Sequence, residues 1–224
     1  MAKAFSGLGA TICDATADLP SSPIEGLIVY QKDTNELKIY DGAVWVSVLD
    51  TDTPPGLVYL NSYTLSGTTT PFQGCFNSSY TNYLILFDNV MLSTGDTIDF
   101  QMMSGATNIG TNNYYSQRLY VQGASSGGTA VRTNAAFGSL IYCAATSATQ
   151  SQGFQVMISN PFVARPTNLN IFGNYNNTSG PTYFLDGWAS AHNVSTAYDG
   201  IRIYSNGGYT LTGTATLYGY RKTI

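Results

Sequence analysis

Apolar and polar residues alternate in short runs along most of this chain, a pattern typical of β-strands. Beyond Gly56 the runs are separated by stretches rich in Gly, Ser, Asn and Thr, which favour turns. The predicted strands there are Leu57–Leu65, Tyr83–Met91, Thr97–Met103, Tyr114–Val121, Arg132–Tyr142, Gly153–Ser159, Asn168–Tyr175, Thr182–Ala189, Gly200–Tyr204 and Thr210–Tyr218. So many short strands predict an all-β fold with a jelly-roll-like β-sandwich.

A smaller pattern of the same kind precedes this region. Three apolar runs, Leu27–Tyr30, Leu37–Tyr40 and Val44–Val48, are separated by Asp33-Thr34-Asn35 and by Asp41-Gly42. Both separators favour tight turns, so we expect a three-stranded β meander. A meander of about 20 residues is too small to bury a core of its own, and it therefore needs a partner surface.

The segments between these patterns divide the chain. Residues 1–23 show no periodicity and contain Pro20 and Pro23, which predicts an extended N-terminal arm. Residues 51–56 end in Pro-Pro-Gly and predict a short stiff linker. We therefore expect the arm at 1–23, the meander at 24–50, the linker at 51–56 and the sandwich at 57–224.

Composition limits the classes of function. Only 10% of the 224 residues are charged, whereas 43% are apolar and 13% aromatic, so the surface must be rich in hydroxyl, amide and aromatic groups. The net charge is −4 and no basic stripe is present, so nucleic acid is not an expected partner. The sequence also shows no signal peptide and no apolar run near the roughly 18 residues of a membrane span. We expect a protein made in a cytoplasm that does not insert into membranes.

Candidate catalytic and metal-binding residues are sparse. His192 is the single histidine, it lies in a predicted loop, and no Gly-x-Ser-x-Gly motif accompanies it. The carboxylates of the predicted sandwich are Asp88, Asp96, Asp99, Asp186 and Asp199. These offer little support for a glycosidase pair, and no cluster has the pattern of a metal site. Cys13, Cys75 and Cys143 are widely spaced and predicted to be buried thiols. We predict no enzymatic activity, no metal and no cofactor.

Tyrosine is unusually abundant, with 17 copies. Its ring offers a large contact area at low entropic cost, and with neighbouring Asn and Thr it suits the recognition of sugar rings. Alternatively, the tyrosines fill strand edges and subunit interfaces. We predict a glycan-facing rim on the loops Gly110–Tyr115, Asn174–Tyr183 and Trp188–Tyr198. Its candidate residues are Tyr114, Tyr115, Tyr175, Tyr183, Trp188 and Tyr198.

The segment from Pro23 to Val46 resembles a module common in tail-fibre and other appendage proteins of tailed bacteriophages. The matching pattern is Pro23-x-Glu25-Gly26-x-x-Val29-Tyr30-x-x-Asp33-Thr34-Asn35-x-Leu37-x-x-Tyr40-Asp41-Gly42-x-x-Trp45-Val46. The stretch Leu211–Tyr220 also resembles the closing strand of phage appendage domains. The resemblance implies a structural protein of the virion, commonly a homotrimer.

In such a trimer the meander is expected to form the oligomerisation neck. The expected neck residues are Tyr30, Tyr40, Trp45 and Val46, with Trp45 and Val46 directed towards the axis.

Two functions fit this organisation. The first is a tail fibre or tail-tip adhesin whose distal loops bind a host surface glycan, which the low charge and the Tyr- and Asn-rich loops favour. The second is a capsid decoration protein or head fibre, anchored to other virion proteins through Met1–Pro23, which a short chain without an extended shaft favours. The sequence leaves both open.

Overall fold

A computed structural model describes residues 11–49, 56–122, 125–143, 152–176 and 183–221. Within these ranges the fold is all-β, as predicted, with a short 3-10 helix at Thr16–Asp18. The chain divides into two compact units, Met1–Pro55 and Gly56–Ile224. Apart from Gly56, the predicted linker lies outside the described residues. None of the described helical residues forms a helix that could cross a membrane.

The small unit is a four-stranded sheet. Its strands are β1 Thr11–Cys13, β2 Ile28–Gln31, β3 Glu36–Tyr40 and β4 Trp45–Leu49, in that spatial order. Strands β2 to β4 form the expected meander, and β1 pairs in parallel with β2. Part of the segment predicted as an extended arm therefore belongs to the sheet. The sequence pattern did not indicate this strand, because three residues are too few to show a periodicity.

The two turns of the meander have the backbone that their residues favour. Asn35 and Gly42 have positive φ angles of 54° and 98°, which Asn tolerates and Gly adopts freely. The Asp41 carboxylate accepts hydrogen bonds from the N–H groups of Val44 at 2.8 Å and Ala43 at 2.9 Å. These backbone hydrogen bonds lower the pKa of Asp41 and stabilise the β3–β4 turn.

The large unit consists of strands in two sheets. Its strands are β5 Leu57–Leu65, β6 Thr69–Phe72, β7 Tyr80–Leu92, β8 Asp96–Ser104, β9 Thr107–Asn108, β10 Tyr114–Gln122, β11 Ser125–Ala135, β12 Gly138–Cys143, β13 Gln152–Ser159, β14 Arg165–Asn176, β15 Tyr183–Thr196, β16 Gly200–Tyr204 and β17 Leu211–Arg221. The larger sheet has the order β11-β10-β15-β14-β13-β7-β17-β5. The smaller sheet has the order β12-β8-β16-β6, with β9 beside β8.

The hydrophobic core of the large unit lies between these sheets, in the sandwich-like arrangement that the sequence predicts. Ile85 of β7 and Ile98 of β8 are both fully buried in it. Phe87 and Phe154 stack with ring centroids 4.3 Å apart. A Cβ atom at Gly173 would lie 2.4 Å from the Cβ of Phe154, so this close approach requires glycine.

Three strand predictions need correction. The run Arg132–Tyr142 is divided between β11 and β12, which belong to different sheets. Strand β6 was not predicted, because Thr69–Phe72 is short and rich in threonine. The predicted loop Trp188–Tyr198 is mostly strand, since β15 continues to Thr196. Its inward residues Ser190 and His192 are polar, so the strand shows no apolar alternation.

Candidate functional site

A groove runs along β15 on the outer face of the larger sheet. The outward residues of this strand are Gly187, Ala189 and Ala191, because Trp188, Ser190 and His192 are buried towards the core. Three successive outward positions therefore carry little or no side chain, which leaves the floor of the groove low. This small-residue alternation is the signal by which the sequence indicates the groove.

Larger side chains on the two neighbouring strands form the walls. Gly187 lies opposite Leu119 of β10 and Phe172 of β14, and Ala189 lies opposite Gln117 and Asn170 of the same strands. Cross-strand partners project from the same face of a sheet. Since neighbouring strands are about 4.8 Å apart, the backbones of the two walls lie about 10 Å from each other.

The groove has the size of a ligand site and an apolar rim. It encloses about 790 Å³, within the range of small-molecule sites. Leu119, Phe172 and Met157 line it and are 68%, 53% and 40% exposed. A second cavity of about 340 Å³ shares Gln155 and Phe172 with it and reaches Asp88. The recessed surface therefore continues across β13 towards β7.

Three amide side chains provide polar groups in the groove, and Thr129 adds a hydroxyl. Gln117, Gln155 and Asn170 line it and are exposed. Within the part of the chain that the structure describes, none of these amides hydrogen-bonds to another residue. Each carries a two-hydrogen donor and a carbonyl acceptor, so each can pair with a ligand hydroxyl in either direction.

Among the described residues that line the main groove, the charged one is Arg118, and it is already paired. Its Nε lies 2.7 Å from Oδ1 of the buried Asp186. Its guanidinium carbon also lies 4.7 Å from the ring centroid of Tyr120 and 5.6 Å from that of Trp188. The ionisable residue of the second cavity is Asp88, which is exposed. The groove therefore presents amides and apolar groups rather than charges.

Three of the six residues predicted for the glycan-facing rim are buried. Tyr114, Trp188 and Tyr198 are 0%, 4% and 2% exposed, so their rings cannot stack on a sugar from solvent. Strand alternation turns Tyr114 and Trp188 towards the core, which corrects the prediction for these three residues. Tyr115 lies on the outer face opposite Ala191 and is 37% exposed. The side chains of Tyr175 and Tyr183 lie outside the described residues.

His192 is a core residue of β15, which corrects the prediction that it lies in a loop. It is fully buried, and its ring centroid lies 4.2 Å from that of Tyr114 and 5.2 Å from that of Tyr198. Neither ring nitrogen has a hydrogen-bond partner, and burial lowers the pKa of His192. Among the described residues the imidazole hydrogen-bonds to no nucleophilic side chain, and it packs between two aromatic rings of the core.

A second buried polar group joins β8 to β12. Asp99 is fully buried and accepts a hydrogen bond from Ser139 Oγ at 2.6 Å, with Arg132 Nη2 at 3.6 Å. Burial raises the pKa of Asp99 to about 6, although Ser139 and Arg132 both favour its ionised form. With Arg132 beside it and no second carboxylate in hydrogen-bond contact, Asp99 is placed to support the fold.

The cysteines and acidic residues give no metal site. Cys13, Cys75 and Cys143 are buried thiols outside any disulfide, as predicted, and burial raises the pKa of Cys75 to about 12. Among the described residues, no group of three or more His, Cys, Asp or Glu side chains is placed to hold a metal ion.

The small unit has one covered and one open sheet face. On the covered face, Cys13, Val29 and Gln31 are at most 1% exposed. Gln31 Nε2 donates to Thr16 Oγ1 at 2.7 Å, so the segment that contains the 3-10 helix closes this side. The open face, named here the apolar face, carries apolar and aromatic side chains among the described residues. Strand pairing brings onto it Ile12, Ile28, Tyr30, Leu37, Ile39 and Val46.

The predicted neck residues are split between these two faces. Tyr30 and Val46 belong to the apolar face, whereas Tyr40 and Trp45 lie on the opposite face with ring centroids 5.5 Å apart. Consecutive residues of a strand project to opposite sides. Trp45 and Val46 therefore cannot both be directed towards one axis, which corrects that expectation.

Comparisons with models of protein families, with curated proteins and with solved structures found no match to this chain.

Proposed function

We propose that the protein is a non-enzymatic structural protein of a tailed-phage virion that attaches to a glycan of the host surface through the groove along β15. The observation that carries the glycan-binding part is the lining of this groove, where three exposed amides alternate with apolar side chains above a floor of Gly and Ala. The resemblance of Pro23–Val46 to phage appendage modules supports the virion part.

The chemistry of the groove fits a sugar chain. Hydroxyl groups donate and accept hydrogen bonds, and so do the amides of Gln117, Gln155 and Asn170. The C–H faces of a sugar ring are apolar and can pack on Phe172, Leu119 and Met157. Because the groove lies open along the sheet surface, a polymer can occupy it while its ends extend beyond the protein.

Self-association belongs to the same proposal. The apolar face exposes Ile12, Ile28 and Val46 by 42%, 43% and 42%, while Cys13 and Val29 are the buried apolar residues among those described in the small unit. Burying this face against further copies of the chain would supply the core that so small a sheet lacks. We propose the homotrimer that the phage resemblance implies.

A capsid decoration protein or head fibre is the second candidate. The same apolar face favours it, since another virion protein would cover these side chains as well as a second copy would. In that case the protein contacts the head, and the segment Met1–Pro23 contributes to the anchor.

The experiment that tests the function combines labelling with glycan binding. An antibody against residues 57–224, carrying gold, is applied to intact particles of the phage that encodes the chain. We expect label at the tail end, and binding of the purified protein on a glycan array without any cleaved product. Label over the head would favour the decoration protein, whereas unlabelled virions would contradict a structural role.

A further inference from the structure

We infer that the groove along β15 selects uncharged glycan chains and excludes anionic ones, an inference that rests on the proposed function and names the class of its ligand. The candidates excluded are sugars that carry carboxylate, sulfate or phosphate groups.

A negatively charged sugar would find no cationic partner in the groove. The guanidinium of Arg118 lies beside the buried carboxylate of Asp186, and the Arg118 side chain as a whole is 16% exposed. Packing an anion against Phe172, Leu119 and Met157 removes part of its hydration without an opposite charge to compensate, which is strongly unfavourable. The exposed carboxylate of Asp88, at the far end of the second cavity, adds repulsion to any anion that extends there.

A neutral sugar meets no such penalty. Gln117 and Asn170 stand on opposite walls beside Ala189, and Gln155 lies beside Phe172 in the strand pairing. Hydroxyls that replace water at these amides keep their hydrogen bonds, while the ring faces cover exposed apolar atoms. The alternation of amide and apolar groups matches the alternation of polar and apolar edges on a sugar chain.

The charge of the large unit gives no long-range preference for anions. Residues 56–224 contain five carboxylates and six arginine or lysine side chains, a net charge of +1. Residues 1–55 contain eight carboxylates and three lysines, a net charge of −5. Electrostatic steering towards the groove is therefore weak, and binding is expected to depend little on ionic strength.

The amides also argue against a second copy of the chain as the occupant. A copy that buried the groove would have to supply partners for all three amides, or leave polar groups desolvated and unpaired. The strand residues described on the apolar face of the small unit include no amide and leave fewer polar groups to pair, so this face is the better surface for self-association.

Binding of matched oligosaccharide pairs tests the inference. Each pair consists of a neutral chain and the same chain with a sialic acid, uronic acid or sulfate, measured by calorimetry with the full-length protein. We expect the neutral member of at least one pair to bind, and its anionic partner to bind at least about tenfold more weakly. Raising the salt from about 50 to 500 mM should change the affinity less than about twofold.

Two variants locate the site. Gly187→Val raises the floor of the groove without strain, because a Cβ there would lie 3.7 Å from the Leu119 carbonyl oxygen and valine suits a strand. Gln155→Glu places a charge in the groove at nearly constant size. Each should weaken neutral glycan binding at least about tenfold. Ser62→Asp is the control: it adds a charge on the outer face three strands from β13, about 14 Å away, and should leave binding unchanged.

The results separate the inference from the proposed function. If anionic chains bind as well as neutral ones, or if Gly187→Val and Gln155→Glu both bind glycan as tightly as the wild type, the inference is wrong while glycan attachment stands. If no glycan binds and Gly187→Val dissociates the oligomer in light scattering, the groove is an interface between copies, and the inference is overturned. Failure of the virion labelling would reject the proposed function on independent grounds.

Discussion

The phenol oxygen of Tyr114 accepts a hydrogen bond from the backbone N–H of Met102 at 2.9 Å. The same hydroxyl donates to the carbonyl oxygen of Ile109 at 2.8 Å. Tyr114 belongs to the larger sheet and Met102 to the smaller one, so one side chain connects the two sheets across the core. A residue that composition assigns to glycan recognition therefore has a structural role.

Replacing Tyr114 by phenylalanine should destabilise the protein. The N–H of Met102 and the carbonyl of Ile109 would lose their shared partner inside the core, at an expected cost of about 1–3 kcal/mol in the free energy of unfolding. Urea denaturation measures this change. Tyr115→Phe is the matched control, since Tyr115 is 37% exposed, and it should change stability by less than about 0.5 kcal/mol. Equal effects of the two substitutions would contradict the connection between the sheets.

His192→Phe should stabilise the protein and reduce its sensitivity to acid. Phenylalanine keeps an aromatic ring between Tyr114 and Tyr198 and removes two buried nitrogens without partners, which should add about 1 kcal/mol to the free energy of unfolding. Burial lowers the pKa of His192, so the unfolded chain binds a proton first as the pH falls below about 6.5, and stability is lost there. Urea midpoints between pH 7 and pH 5 should fall less in the variant. A variant that unfolds more readily than the wild type at neutral pH would refute this account.

The Asp99→Asn substitution should remove a loss of stability that occurs as the pH rises, which is the opposite of the acid sensitivity caused by His192. With its pKa raised to about 6, Asp99 in the folded protein holds a proton that the unfolded chain releases near pH 4. Its contribution to stability is therefore fully present below about pH 4 and is lost as the pH rises through about 6. The groups that face it are Ser139, Thr97 and Arg132.

Asparagine at position 99 stays neutral and can still accept the hydrogen bond from Ser139. The free energy of unfolding of the wild type minus that of the variant should fall between pH 4 and 6, with a slope of at most about 1.4 kcal/mol per pH unit. Urea denaturation across this window gives the difference directly. Two parallel stability curves would show that Asp99 does not titrate in the window.

Charging the apolar face of the small unit should dissociate the oligomer. Ile28 is 43% exposed on this face, and lysine there would place an unpaired charge in an interface between copies. Light scattering at micromolar concentration should show a trimer for the wild type and a monomer for Ile28→Lys. Val44→Lys is the control, because Val44 is 58% exposed in the β3–β4 turn, outside the apolar face. A monomeric wild type would contradict self-association.

Much of the strand pattern follows from sequence, because apolar alternation and turn residues are local signals. The meander, the strand Gly200–Tyr204 and the run beginning at Leu57 appear where the pattern predicts them. The predicted strand ends at Ala189, whereas β15 continues to Thr196. The pattern fails beyond Ala189 because Ser190 and His192 occupy inward positions that apolar residues normally fill. Their burial depends on contacts with distant strands, such as the Ser190 hydroxyl donating to the Ser139 carbonyl at 2.6 Å, and no local pattern contains this information.

The groove shows a second limit on what can be predicted from sequence. Its lining residues come from β10, β11, β13, β14 and β15, and only the order of strands in the sheet brings them together. Tyrosine abundance indicated aromatic recognition, yet several of these rings are buried and the exposed aromatic ring of the groove is Phe172. Sequence shows which residues alternate along one strand, whereas the partner strand decides what each outward residue faces.

The alternation of inward and outward residues that builds the groove also separates the positions that the fold requires from the positions that line the groove. Gln117, Leu119, Asn170 and Phe172 project outward, while their immediate chain neighbours form the core, so the outward positions can change with little effect on folding. Under the proposed function, the glycan specificity of the groove can therefore change by substitutions on its walls, while the sheet beneath them keeps its core.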